Sequence, residues 1–100
     1  MTRFRMDIQY DGTAYAGWQV QPNRPTVQST IEHVISRITG ETVKLHGSGR
    51  TDQGVHARQQ VAHFDLERRW TGSVLLKALN ALLPADIRIA RLARAKPEFH

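Results

Sequence analysis

The stretch RFRMDIQY, residues 3–10, alternates two kinds of side chain. Phe4, Met6, Ile8 and Tyr10 fall on one side, and Arg3, Arg5, Asp7 and Gln9 on the other. A period of two marks a strand with one face buried and one face open. The rest of the chain is read outward from that strand. DGTAYAGWQVQPNRP, residues 11–25, is rich in Gly, Pro and Asn and reads as a long loop. Pro25-Thr26 then opens a helix with Thr26 as N-cap; Val27, Ile31, Val34, Ile35 and Ile38 share one face, and Gly40 stops it. TVKLHGS, residues 42–48, reads as a second strand, with Val43 and Leu45 on one face and Lys44 and His46 on the other. ARQQVAHFDLE, residues 57–67, reads as a third, with Ala62, Phe64 and Leu66 opposed to Val61, His63 and Asp65. Trp70, Val74, Ala78, Leu79 and Leu82 predict a second helical stripe, starting near Ser73 and ended by Pro84. ADIRIARL, residues 85–92, closes with a fourth strand through Ile87 and Ile89.

The order is β-α-β-β-α-β. It predicts an α+β fold of the ferredoxin-like or RRM-like kind, a four-stranded antiparallel sheet with two helices on one face. The open face would then carry Arg3, Arg5, Lys44, His46 and His63. RNA-recognition domains share this topology and bind RNA on that face. This chain lacks their Lys/Arg-Gly-Phe-type run in the third strand.

Bulk composition agrees with one small domain. The chain has 100 residues with 40% hydrophobic content, enough to bury roughly 60–70% of the surface its unfolded form exposes. No apolar run approaches the roughly 20 residues of a membrane span, and the alternating N-terminus is not a signal peptide. With no cysteine, disulfides, thiolate zinc sites and cysteine nucleophiles are excluded, and a reducing, cytoplasmic setting fits. Fourteen basic residues against nine acidic give a net charge of +5. That balance favours an anionic partner, nucleic acid being the commonest, although charge alone does not separate a nucleic-acid binder from an ordinary basic domain.

The chemistry-bearing stretch is GSGRTDQGVHA, residues 47–57. A phosphate-binding P-loop needs Gly, four residues, then Gly-Lys-Ser/Thr, which is absent here. A dinucleotide fingerprint fails too, because Asp52 stands where its third glycine belongs and a strand rather than a helix follows. As a metal site, His46, Asp52, His56 and His63 lack the close helical spacing of a zinc motif. No nucleophile elbow supports a serine hydrolase. Two readings stay open. Asp52-Gln53-Gly54 is ordinary turn chemistry, with the aspartate bonding backbone amides and the glycine free to take a positive φ. Alternatively, the loop presents a carboxylate for reaction. Arg50, two residues before Asp52, would hold such a group ionised, which suits a nucleophile or base. Arg50 could equally contact a phosphate or stack on a base.

GRTDQGVHA, residues 49–57, resembles the Gly-Arg-Thr-Asp-x-Gly-Val-His-Ala signature of the tRNA pseudouridine synthase A (TruA) family. YDGTAYAGWQVQPN, residues 10–23, is similar to that family's Tyr-Asp-Gly, Tyr, Gly-Trp-Gln segment, and NALLPADIRI, residues 80–89, to its Asn-x-x-Leu-Pro-x-Asp-Ile stretch. The blocks occur in family order across nearly the whole chain.

The resemblance implies an isomerase that converts uridine to pseudouridine at positions 38 to 40 of the tRNA anticodon stem-loop, with no metal and no organic cofactor. Asp52 matches the catalytic aspartate and Arg50 the arginine beside it. Thr51, Gln53 and Gly54 shape the loop, while Val55 and His56 anchor its far side. His56 is a candidate RNA contact or a structural hydrogen-bond partner, and Gln19 and Gln21 are candidate polar contacts. Trp18 and Tyr15 are expected to pin the long first loop to the core, and Trp70 to sit in the core. Family members run well past twice this length and contain two such α/β halves. The chain is therefore expected to be the N-terminal half of the catalytic core, ending at Phe99-His100 where the family reads Phe-His-Ala-Arg. The second half should carry the tyrosine that stacks on the target base; Tyr10 and Tyr15 do not match that position. Residues 1–100 alone are expected to be inactive, and the full-length family is homodimeric with tRNA lying across both subunits. The alternative is a non-catalytic RNA-binding α/β module.

Overall fold

The computed structural model describes residues 1–11, 18, 26–48 and 58–96. Its elements are β1 (Thr2–Tyr10), α1 (Val27–Thr39), β2 (His46–Gly47), β3 (Arg58–Leu66), α2 (Gly72–Leu82) and β4 (Ile87–Ala95). The strands form one antiparallel sheet in the order β2-β3-β1-β4. The expected ferredoxin-like α+β arrangement is present, with β1 at the centre between β3 and β4. Among the described residues, no helix is long and apolar enough to cross a membrane.

The alternation in β1 builds the core. Phe4, Met6, Ile8 and Tyr10 are buried with Ala62, Phe64 and Leu66 of β3 and Ile87 and Ile89 of β4. Directly opposite in the register, Phe4 and Phe64 stack with ring centroids 5.7 Å apart. Full burial of each large side chain is worth about 1.5–3 kcal/mol, so this layer is the main stabilising element.

Helix α1 lays Val27, Ile31, Val34 and Ile35 on the sheet, with Ile38 packed at the margin. Its first turn is closed by a reciprocal pair: Ser29 N–H donates to Thr26 Oγ1 at 3.2 Å, and Thr26 N–H donates to Ser29 Oγ at 3.2 Å. Two donors that a helix start leaves open are thereby satisfied. At the other end Gly40 takes φ +77° and returns its N–H to the Ser36 carbonyl at 2.8 Å, a left-handed cap that glycine adopts without strain.

Three expectations need correction. The predicted strand over residues 42–48 shrinks to His46–Gly47. The cause is a competing set of partners for Leu45. Its N–H donates to Glu32 Oε2 at 2.8 Å and its carbonyl accepts from Gln28 Nε2 at 3.0 Å, so helix α1 takes the groups a ladder would use. Lys44 therefore precedes the sheet rather than lying on its open face.

The stripe predicted on α2 is rotated. Leu75 and Leu79 are buried, followed by Leu83, whereas Val74 is 56% and Leu82 46% exposed. The segment SVLLKALNALL is apolar in two adjacent registers, and the one that buries three leucines displaces the one offering Val74, Ala78 and Leu82. Trp70 is only partly buried against the core margin.

Strand β4 runs on to Ala95. Its pairing with β1 slips between Asp7 and Ile8, which oppose Arg91 and Ile89, leaving Ala90 as the extra residue of a bulge.

Candidate functional site

One end of the sheet gathers the connections that carry the three sequence blocks. Tyr10 ends β1 and is opposite both Arg58, which starts β3, and Ile87, which starts β4. β2 runs toward the same end, its last residue Gly47 pairing with Ala62 in the middle of β3. Three connections meet the sheet at this end: the first follows Tyr10, the second rejoins the sheet at Arg58, and the short link from α2 enters it at Ile87. The first and third are tied by Asp11 N–H, which donates to the Asp86 carbonyl at 3.0 Å.

Asp52, Arg50, Thr51, His56 and Gln19 all lie outside the described residues, as do Tyr15, Gln21, Gln53, Gly54 and Val55. The described residues define the frame from which the Asp52 segment departs. On the β2 side, Ser48 N–H donates to the Val61 carbonyl at 2.9 Å, with Ser48 Oγ 3.2 Å from the same oxygen. On the β3 side, the chain enters the sheet at Arg58 and is in register with β1 from there to Leu66. The residues flanking 49–57, Ser48 and Arg58, are thus both held to the sheet. A reacting group on such a connection gains from a rigid support, since misplacement by about 1 Å can cost 100-fold in rate.

Between Asp11 and Thr26, Trp18 is the described residue of the long first connection, and it is where the sequence places it, planted in the core. It is 2% exposed and its ring lies 6.3 Å from that of Tyr10. Its carbonyl accepts from Gln28 N–H at 3.0 Å, fastening the connection to the first turn of α1.

The open face of the sheet is predominantly basic along its length. In register across it lie Arg3, Arg5, Asp7 and Gln9 of β1, His63 and Asp65 of β3, and Arg88 and Arg91 of β4. Four guanidiniums thus face two carboxylates. Arg3 holds Asp65 in a fork, Nε donating to Oδ1 at 2.8 Å and Nη2 to Oδ2 at 3.0 Å. That fork keeps the Asp65 carboxyl below its ordinary value, against the opposing effect of burial, with the charges of Arg3, His63 and His46 adding to the lowering. Arg5 approaches Asp7 Oδ1 at 3.4 Å, an ion-pair distance without an aligned hydrogen bond. His46 and His63 stack with centroids 4.9 Å apart and planes 19° from parallel. Arg88 and Arg91 are exposed. A surface of this kind attracts polyanions and leaves polar and aromatic edges for contact.

Sequence reasoning missed two polar devices near the site. Asn80 of α2 reaches the buried start of β4, where its Nδ2 donates to the Ile89 carbonyl at 2.9 Å and its Oδ1 accepts from Ile89 N–H at 2.8 Å. Gln28 and Glu32 grip Leu45, as above. The available signal for Asn80 was a lone amide inside an apolar helix, beside Leu79, a position where an unpaired polar group is costly.

Residues 7–100 match the model of a protein family described as tRNA pseudouridine synthase. Among curated relatives, tRNA pseudouridine synthase A of Maridesulfovibrio salexigens is 52% identical over 100 residues, covering 100% of this chain and 37% of the relative. The protein of the same name from Sinorhizobium medicae is 58% identical over 83 residues, 83% of this chain and 34% of the relative. That from Chlorobium chlorochromatii is 52% identical over 101 residues, 100% of this chain and 42% of the relative. The chain therefore spans well under half the length of these relatives.

Proposed function

Since the chain belongs to the tRNA pseudouridine synthase family, we propose that residues 1–100 are the N-terminal α/β half of a tRNA pseudouridine synthase. In this reading the enzyme isomerises uridine at positions 38 to 40 of the anticodon stem-loop, in the cytoplasm, as a homodimer across which the tRNA lies. Asp52 is the catalytic carboxylate and Arg50 its charge partner, with Thr51, His56 and Gln19 contacting the substrate. The observation that carries the reading is the family match, which runs through the GRTDQGVHA block without leaving the chain.

The chemistry follows from what an ionised carboxylate can do. It attacks the ribose or the base, or removes a sugar proton, and the N-glycosidic bond then breaks. The freed uracil turns, its carbon 5 bonds to the ribose, and the proton on that carbon leaves. No atom is gained or lost overall, so no redox partner is required. The target nucleotide has to leave its stack first, which costs a few kcal/mol. The basic open face supports the reading through phosphate attraction, and the guanidinium of Arg50 would occupy the vacated space.

The test uses the longer protein that carries this chain. Asp52→Ala is expected to abolish pseudouridine formation while tRNA binding persists. Parental turnover by that variant would sink the catalytic assignment. The alternative, an RNA-binding module without catalysis, predicts salt-dependent RNA affinity and no pseudouridine from the unaltered protein either. Residues 1–100 alone are expected to show negligible turnover, and near-parental rates from them would overturn the two-half reading.

A further inference from the structure

Gly47 is the last residue of β2, two residues before the 49–57 segment begins. A Cβ on Gly47 would lie 2.6 Å from the Trp18 indole nitrogen, 3.0 Å from Trp18 Cε2 and 3.1 Å from the Gln60 amide nitrogen. The first of these is closer than real side chains approach, so the indole rests directly on the glycine backbone. Gln60 completes the seat from β3. It is buried, its Oε1 accepts from Val61 N–H at 3.0 Å, and it lies 3.4 Å from Ser48 Oγ. The indole is held from behind by Tyr10 and by the bond from Gln28 N–H to the Trp18 carbonyl.

We propose that Trp18 is a positioning residue for Asp52: its indole, seated on Gly47 and Gln60, fixes the end of β2 at Gly47 and Ser48, the anchor that precedes residues 49–57 in the chain. The inference rests on the reading of Asp52 as the reacting carboxylate. It gives the GW of the first block and the first glycine of GSGRTD a single physical purpose. Gly47 is small because Trp18 needs the space, and Trp18 is aromatic because a broad, rigid face pins a strand end with few freely rotating bonds. Two connections that are remote in sequence are thereby locked at one contact.

The test is a double-mutant cycle in the longer protein, read as kcat and KM for tRNA with folding followed by circular dichroism. Gly47→Ala is expected to lower kcat 10-fold or more, with KM changed by less than 3-fold, at temperatures where the variant is folded. Trp18→Leu removes the atoms that the new methyl would strike. Gly47→Ala is therefore expected to add less than a 2-fold further loss in the Trp18→Leu background, a specific failure of additivity. If Gly47→Ala alone does not fold, folding of the double variant at the level of Trp18→Leu supports the contact, and failure of both together refutes it. Equal losses from Gly47→Ala in both backgrounds overturn the proposal, as does kcat within 3-fold of the parent for folded Gly47→Ala. Asp52→Ala separates the two claims. If it keeps its turnover, the reading of Asp52 fails. If it is dead while Gly47→Ala is unimpaired, only the positioning role fails.

Discussion

Asn80→Ala tests whether the start of β4 depends on a single side chain. Among the described residues β4 is an edge strand, and at Ile89 its N–H and carbonyl meet no strand on the side away from β1. The Asn80 amide supplies both partners, at 2.8 and 2.9 Å, beside the bulge where β4 slips against β1. Each neutral hydrogen bond contributes about 0.5–1.5 kcal/mol net, so the pair is worth about 1–3 kcal/mol. Alanine is the better helix former by up to about 0.7 kcal/mol, which offsets part of the loss. The expected destabilisation is about 1–2 kcal/mol. At about 4–8 °C per kcal/mol for a domain of this size, the melting temperature falls by about 4–16 °C. Urea unfolding of the 100-residue chain should show a lower midpoint at unchanged slope, because the surface exposed on unfolding is almost the same. Amide exchange at Ile89, a residue only 1% exposed, should accelerate more than at Phe4 or Phe64. Asn80→Asp keeps the acceptor but turns a charge toward the Ile89 carbonyl, so at neutral pH it should be no milder than alanine. A loss below about 0.5 kcal/mol with Ile89 exchange unaltered would refute the clamp and leave the bulge to be explained by the strands alone.

Two further outcomes can be checked on the same chain. Asp65 has its pKa lowered below 3.8 in the folded state, chiefly by the Arg3 hydrogen bond. Its contribution is therefore fully present above the unfolded carboxylate value and is lost as pH falls through the folded one. The stability difference between the parent and Asp65→Asn should shrink as pH falls below about 4, read from denaturant midpoints; a difference that grows between about pH 4 and pH 2 would contradict the ion pair. Gly40→Ala meets no atom within 4 Å but must hold φ +77°, so it should cost about 1–2 kcal/mol through backbone strain alone, and an unchanged denaturation midpoint would count against that cap.

Much of this architecture was legible because it follows from local periodicity. The alternation in residues 3–10, the single apolar face of α1, Thr26 before it and Gly40 after it all name their own conformations. Trp18 was legible for a related reason: a large aromatic in a Gly- and Pro-rich run has little to do but anchor it. The rotated face of α2 was not legible, since a segment apolar on two sides has no preferred register until a sheet selects one. The shortened β2 was hidden too, because the residues that take over Leu45, Gln28 and Glu32, belong to another element.

The candidate site divides along the same line. By itself the sequence determined the β-α-β-β-α-β order, the burial pattern of the central strand, and the blocks that place the chain in its family. Each of these is written in neighbouring residues, whose spacing alone sets strand, helix or turn. Only the tertiary structure decided that Trp18 rests on Gly47, that Asn80 closes the edge of β4, and that Tyr10, Arg58 and Ile87, next to the three blocks, meet at one end of the sheet. Those relations join residues far apart in the chain, and they exist only once burial of Phe4, Met6 and Ile8 has drawn the four strands into register.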